Sequence, residues 1–284
     1  MLKRVPFTPG DLTDHQWGTD DVLTGLDNST NILIGDAGGS MFDFSKGGDD
    51  TFTGGVNSTN TFFGDAGGNM SGHAQGGNDT FTGGEGSSNT FFGDAGGTMS
   101  DNAHGGDDIL TGGNNSGNGN TENQLTGDAG VMSGSAHGGN DILTGGNNSG
   151  SGQLNNSLYG DALSLSGSSK GGNDTLCAGT AAPGCTVSNF MWGDGQLQDS
   201  AQGGTDMFVF KDAGSMTVGT HNTIEDFSQS QQDKIEFADV TGVQSFNDLG
   251  IAQSGTDTII TAGADQVTLH NFTSSLTAND FLFV

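Results

Sequence analysis

Aspartate is the residue of this chain whose type and spacing could do chemistry. In a first series, the GGxD series, each aspartate ends the motif GGxD or a worn copy of it, and an apolar residue follows two positions later. Oxygen ligands from carboxylates and backbone carbonyls are those that calcium prefers, and paired glycines leave their carbonyls accessible. The series therefore predicts a row of calcium sites. Its members are Asp21, Asp50, Asp79, Asp108, Asp141, Asp174 and Asp206, at separations of 29, 29, 29, 33, 33 and 32 residues.

A second series, the GDA series, follows segments of the form asparagine, any residue, apolar, any residue, Gly-Asp. The asparagines of these segments hold the offset from the apolar residue that aspartate holds in the first series, as at Asn60, Asn89, Asn123 and Asn156. Stacked asparagines can bond to each other through their amides and need no ion. We therefore expect calcium to line one edge of the molecule better than the other, with the GDA aspartates supplying ligands on the second edge. They are Asp36, Asp65, Asp94, Asp128, Asp161 and Asp194.

The elements that position these aspartates are short and repeated. One period holds two apolar segments and two turns, and it is too small to bury its own apolar face. The sequence therefore predicts an all-β fold, a parallel β-solenoid or β-roll of stacked coils with enlarged loops and about 29 to 33 residues per coil. We expect a lead-in over 1–16, solenoid repeats over 17–203 and a C-terminal β cap over 204–284, where the glycine pattern stops and short alternating segments begin.

The acidic composition indicates that cations are needed between the coils. The chain has 284 residues, 53 of them glycine, and 6 Lys and Arg against 34 Asp and Glu leave a formal net charge of -28. Stacked coils lie about 4.7 to 4.9 Å apart, and unit charges at that distance repel by about 1 kcal/mol even in water. Disorder is the alternative for so acidic a chain, but the strict repeat opposes it. Nucleic acid is excluded as a partner because basic residues are too few, and no apolar run predicts a membrane span.

The repeats GGDDTFTGG, GGNDTFTGG, GGDDILTGG and GGNDILTGG resemble those of the RTX family, the hemolysin-type calcium-binding repeats of secreted bacterial proteins. The resemblance implies that the GGxD aspartates hold calcium between adjacent coils. It also implies that the apolar residues two positions later point into the core. The chain departs from the family because its nonapeptides do not follow one another directly, which is why the loops are expected to be enlarged. The implied core residues are Phe52, Phe81, Leu110, Leu143 and Leu176.

The segments DMFVF, IEDF, DKIEF and NDFLFV resemble the segment that closes serralysin-type β-rolls and carries an uncleaved C-terminal signal for type I export. This resemblance implies a bacterial protein that the type I export machinery secretes to the exterior or the cell surface. The first 25 residues show no apolar stretch of a cleaved N-terminal signal. Asp226 and Asp233 match the family pattern IEDFxxxxxDKI, which implies a further ion near the cap.

Two cysteines, Cys177 and Cys185, lie close together in the sequence. Outside the cell such a pair is expected to form a disulfide, with two free thiols as the alternative.

The function we predict is that of a calcium-binding structural protein which folds on calcium outside the cell and belongs to a surface layer, biofilm matrix or filament. Self-association into filaments is part of that expectation. The chain has no HExxH, GxSxG or phosphate-loop motif, so catalysis is not predicted. The alternative is an adhesive or ice-binding solenoid that uses a flat threonine face, including Thr51, Thr53, Thr80 and Thr82, or an aromatic face.

Overall fold

The computed structural model describes residues 3–4, 7–211 and 220–284, so residues 212–219 of the expected cap lie outside the described residues. The chain winds into a parallel β-solenoid, and the predicted all-β class and solenoid architecture are confirmed. Each repeat crosses three faces in turn, which we name sheets A, B and C. In the part of the chain that the structure describes, no helix has the length and apolar character needed to cross a membrane.

Sheet A contains the segments that follow the GGxD aspartates. Its strands pair in parallel and in register, so that Phe52 pairs with Phe81 and Phe81 with Leu110. Small outward residues alternate with one inward apolar residue, a pattern typical of a strand with one buried face. The described strands of sheet A are Val22–Thr24, Thr51–Thr53, Thr80–Thr82, Ile109–Thr111, Ile142–Thr144, Thr175–Cys177, Met207–Lys211, Lys234–Ala238 and Phe281–Phe283.

Sheet B contains the asparagine-bearing segments, again parallel and in register. Its last two strands run antiparallel, so a short meander ends this face. In their order across the sheet, the described strands are Thr30–Ile34, Thr59–Phe63, Ser88–Phe92, Thr121–Thr126, Gln153–Tyr159, Thr186–Trp192, Thr220–Ile224, Asp265–Leu269, Asp257–Ala262 and Leu249–Ser254.

Sheet C is formed by the part of each repeat that the sequence predicts as an enlarged loop. Its strands are Ala95–Met99, Ala129–Met132, Ala162–Leu165 and Gln196–Leu197. The earlier coils extend the same face through single parallel bridges, such as Met41 to Met70 and Met70 to Met99. Outside the three sheets, the described elements are the paired strands Lys3–Arg4 and Gln16–Trp17 and the 3-10 helices Phe246–Asp248 and Ala278–Asp280.

Two separate apolar cores run along the solenoid. The first lies between sheets A and B, where phenylalanine rings stack from coil to coil, with ring centroids 4.6 Å apart for Phe52 and Phe81 and 4.8 Å apart for Phe62 and Phe91. The second lies behind sheet C and is built mainly from alanine and methionine. The prediction of the inward residues is confirmed, because each of them is fully buried: Phe52, Phe81, Leu110, Leu143 and Leu176.

An asparagine ladder fills the corner between sheets A and B. The side-chain Nδ2 of each asparagine donates to Oδ1 of the next at 2.8 Å. The same Oδ1 accepts from a backbone N–H of the adjacent glycine turn, as from Gly113 to Asn123 at 3.0 Å. This corner therefore satisfies its polar groups without an ion, which confirms the expectation for stacked asparagines. The ladder consists of Asn31, Asn60, Asn89, Asn123, Asn156, Asn189 and Asn222.

Beyond residue 204 the chain adds further strands to the solenoid before it closes the end of sheet B with the antiparallel strands. Met207–Lys211 and Lys234–Ala238 extend sheet A, and Thr220–Ile224 extends sheet B.

The predicted disulfide is wrong, since Cys177 and Cys185 are both free thiols. Cys177 lies in a strand of sheet A, whereas Cys185 lies in a loop and packs against a small separate cluster of Leu154, Ala181 and Val187, so the two residues belong to different surfaces of the coil.

Asn89→Ala is expected to destabilise the folded protein by at least about 2 kcal/mol, because Asn60 Nδ2 and Gly84 N–H lose a buried acceptor. Thr90→Ala, on the next residue of the same strand, faces outward and serves as the control. Urea unfolding in saturating calcium measures both. Equal midpoints for the two variants would contradict the role of the ladder.

Candidate metal site

The two aspartate series meet at one edge of the solenoid, between the two apolar cores. The backbone N–H of Gly77, in a GGxD turn, donates to both carboxylate oxygens of Asp65, in a GDA turn, at 3.2 and 3.1 Å. A Cβ placed on Gly64, next to Asp65, would collide with Oδ2 of Asp79. The GDA series therefore lies beside the GGxD series, and the expectation that it lines a second edge is wrong. The asparagine ladder occupies that other position.

The GGxD aspartates form a ladder of hydrogen bonds in which only one oxygen of each carboxylate, Oδ1, takes part. The backbone N–H of each aspartate donates to Oδ1 of the aspartate in the next coil, at 2.6 Å from Asp50 to Asp79 and at 2.7 Å from Asp108 to Asp141. The ladder begins at the partly buried Asp21. Oδ2 is buried and has no hydrogen-bond partner in Asp50, Asp79, Asp108, Asp141, Asp174 and Asp206.

These orphaned oxygens face backbone carbonyls. The Cβ position on Gly64 collides with the carbonyl oxygen of Gly93 as well as with Oδ2 of Asp79. Gly93 repeats this geometry with the carbonyl of Gly127 and Oδ2 of Asp108. Two acceptor oxygens thus share one small buried space, and they repel each other unless a cation or a proton lies with them. Sequence reasoning missed the glycine of the Gly-Asp pair, although its presence in every copy was the available signal.

The GDA column is unsatisfied in its middle and satisfied at its ends. Asp94 Oδ1 accepts from Gly106 N–H at 3.0 Å, while Oδ2 of Asp94, Asp128 and Asp161 is buried without a partner. Neighbouring carboxyl groups of this column lie beside each other, since a Cβ on Gly105 would collide with both Oδ1 of Asp128 and Oδ2 of Asp94. At the far end, Asp194 has both oxygens occupied, by Gly204 N–H at 2.6 Å and Gln231 Nε2 at 2.9 Å. Gln231 thus ends the column with a neutral donor, a role that the sequence did not reveal.

Burial makes both columns hard to ionise. It raises the pKa of Asp50 to about 8, with the nearby Asp36 charge adding to the shift, and raises the pKa of Asp128 to about 7 and of Asp36 to about 6. For Asp65, Asp79, Asp94, Asp108, Asp141, Asp161 and Asp174, burial and then the neighbouring carboxylates raise the pKa well above its ordinary value. Bare ionised columns are therefore unfavourable at neutral pH.

Asp226 and Asp233 cap the last repeats. Asp226 accepts from the backbone N–H groups of residues 193–195, at 2.8, 3.2 and 3.3 Å. Asp233 accepts from Asp206 N–H at 3.1 Å and from Ser228 N–H at 2.8 Å. Each carboxylate thus replaces acceptors that a further coil would supply. The additional ion expected at these two residues stays a prediction.

The donor set is composed of oxygen atoms. Among the residues that the structure describes, no group of three or more His, Cys, Asp and Glu side chains surrounds one point. The groups of this edge that could hold a cation are the orphaned carboxylate oxygens and the backbone carbonyls beside them. That mixture suits a hard ion with flexible coordination such as calcium and not a nitrogen- or sulfur-seeking ion such as zinc.

The fold and the site define a parallel β-solenoid with two adjoining columns of buried carboxylates. No known family model matches the sequence, and a search among curated proteins finds no match. Membership of the RTX family stays a prediction from the repeat residues.

Gly93→Ala is expected to destabilise the fold by about 3 kcal/mol, because its Cβ would enter the space between Asp108 Oδ2 and the carbonyl of Gly127. Gly119→Ala is the matched control, since a Cβ there has no neighbour within 4 Å. Thermal unfolding in calcium compares them, and a Gly93 variant as stable as the Gly119 variant would show that the space is not tight.

In the presence of EDTA, the free energy of unfolding is expected to fall as the pH rises from about 4 to about 8. The ordinary aspartate pKa is about 3.9 in the unfolded chain, whereas burial raises the pKa of Asp50 to about 8 in the folded one. Between these values the folded state binds more protons than the unfolded state, so its stability decreases with pH. Urea midpoints at several pH values measure this. A midpoint that rises over the same range would contradict the buried columns.

Proposed function

We propose that this protein is a secreted calcium-binding structural protein, which folds when calcium enters the edge where the two aspartate columns meet. The observation that carries the proposal is the row of buried Oδ2 atoms in the GGxD column, each without a hydrogen-bond partner. At Asp79 and Asp108 this oxygen shares its small space with a backbone carbonyl oxygen. Calcium accepts six to eight oxygen ligands at about 2.3 to 2.6 Å, mixing carboxylates with carbonyls. Magnesium requires near-octahedral geometry and gives up its water reluctantly, so it fits less well.

Calcium would act as a folding switch. A ligand that binds only the folded state stabilises that state by mass action. In a calcium-poor cytosol the acidic chain would remain unfolded and fit for export, and it would fold outside the cell. The type I export route and the bacterial exterior rest on the resemblance of the C-terminal segments to serralysin-type caps.

The structural role in a surface layer, biofilm matrix or filament is supported by the shape of the fold. Within the described residues, the first strands of sheets A and B, Val22–Thr24 and Thr30–Ile34, are paired on one side only. Unpaired strand edges are templates for pairing with another chain. These edges support self-association along the solenoid axis.

Asp108→Asn tests the cation column and Asp107→Asn is its control. Asp108 is buried with an orphaned Oδ2, whereas its neighbour Asp107 is exposed and occupies a row in which asparagine already stands at Asn78 and Asn140. We expect Asp108→Asn to bind less calcium and to be more stable than the wild type in EDTA, because one buried charge is removed. We expect Asp107→Asn to match the wild type in both respects.

Circular dichroism during calcium titration, with magnesium as a comparison ion, measures the folding midpoint. A pH titration in EDTA, started at low pH where protons neutralise the columns, measures the pH at which the cation-free form unfolds. If Asp108→Asn needed the same calcium concentration as Asp107→Asn and gained no stability in EDTA, the column would not be the calcium site. Equal potency of magnesium and calcium would contradict calcium as the preferred ion.

A further inference from the structure

The outward face of sheet A carries no charged side chain over six consecutive strands, from Val22–Thr24 to Thr175–Cys177, although the chain has a net charge of -28. Two rows of side chains form this face, which we name the threonine face. Eight of its twelve residues are threonine. One row is Val22, Thr51, Thr80, Ile109, Ile142 and Thr175, and the other is Thr24, Thr53, Thr82, Thr111, Thr144 and Cys177.

The threonine face is a rigid two-dimensional lattice. Its strands are parallel and in register, so members of a row lie about 4.8 Å apart and the two rows lie about 6.6 Å apart. Every residue except Cys177 is β-branched, and such side chains are restricted at χ1. The stacked rings of Phe52 and Phe81 lie directly behind the face and hold the strands in place. Hydroxyl and methyl groups are therefore presented at fixed and repeating positions.

A row of exposed residues at the GGxD turns borders the threonine face, and its members are bonded to each other from coil to coil. Asp49 Oδ1 accepts from Asn78 N–H at 2.9 Å, and Asp107 Oδ1 accepts from Asn140 N–H at 2.7 Å. These carboxylates are bonded along the solenoid axis from coil to coil. They frame the face at its edge.

The chemistry of the face excludes several partners. Without charge it does not attract ionic polymers or charged membranes, and without an aromatic side chain it offers no platform for sugar rings. Six strands give an area of roughly 30 Å by 10 Å. Two copies meeting there would bury about 600 Å², which is below the roughly 1,000 Å² that a stable protein interface needs.

A solid with its own repeating surface suits such a face, since every threonine then makes an equivalent contact. We propose that the threonine face binds ice. Its hydroxyl groups take the places of water molecules at the ice surface, and its methyl groups order the water between them, as apolar groups restrict neighbouring water. This inference goes beyond the proposed function, because the calcium columns hold the coils together while the threonine face meets the partner.

The test is thermal hysteresis and ice-crystal shaping by the protein folded in calcium. The wild type is expected to shape ice crystals and to lower their growth temperature. The double variant Thr80→Tyr with Thr82→Tyr is expected to lose at least five-fold of that hysteresis. The control is Thr61→Tyr with Thr90→Tyr, the same substitution on two outward positions of sheet B, one in the same repeat and one in the repeat before it. The control is expected to retain the wild-type value.

Circular dichroism in the same buffer verifies that each variant is folded, and Thr53→Tyr alone provides a milder change on the same face if the double variant does not fold. Unshaped ice in the presence of the folded wild type would overturn the proposal. So would equal loss in the sheet A and sheet B variants. A wild-type dimer in sedimentation that Thr80→Tyr with Thr82→Tyr abolishes would assign the face to a second copy of the chain instead.

Discussion

The constraint that governs this structure is that stacked carboxylates are buried in one edge of the solenoid and must be neutralised there. Coils lie about 4.8 Å apart, and two unit charges at that distance repel by about 3 kcal/mol at the effective dielectric of protein sites. The repulsion recurs at every coil, and burial adds to it by removing water from each carboxylate. An ionised column of this kind cannot be held by its hydrogen bonds alone. Neutralisation by cations, or by protons at low pH, is a condition of the fold.

The asparagine ladder between sheets A and B shows that stacked polar residues in such a solenoid need not repel each other. Asn89 and Asn123 stack there with an amide that donates on one side and accepts on the other, so the ladder is neutral and complete. Asp79 and Asp108 occupy a comparable turn, but a carboxylate only accepts, and its second oxygen is left without a donor. An asparagine in their place would offer a donor. The recurrence of aspartate at that position in successive repeats therefore supports a function for the charge itself.

The repeat period was sufficient to predict the solenoid, the inward residues such as Phe81 and the self-satisfied asparagines, because each of these follows from local spacing. The relation of the two aspartate columns was not predictable in this way. It depends on sheet C, whose short strands of alanine, glycine and methionine look like loops in the sequence and bring the GDA turn back beside the GGxD turn. Cys177 and Cys185 are close in sequence, yet a strand and a loop place them on different surfaces. The donor role of Gln231 arises only from the way the last repeats are closed.

The cations are the central claim, and counting them tests it most directly. The columns from Asp36 to Asp206 contain twelve buried aspartates, whose charge about six divalent ions would neutralise. Native mass spectrometry of the protein folded in calcium and then freed of unbound ions gives the number per chain. The account predicts about six tightly held calcium ions, lost together on unfolding. A folded chain at neutral pH that holds none would contradict it.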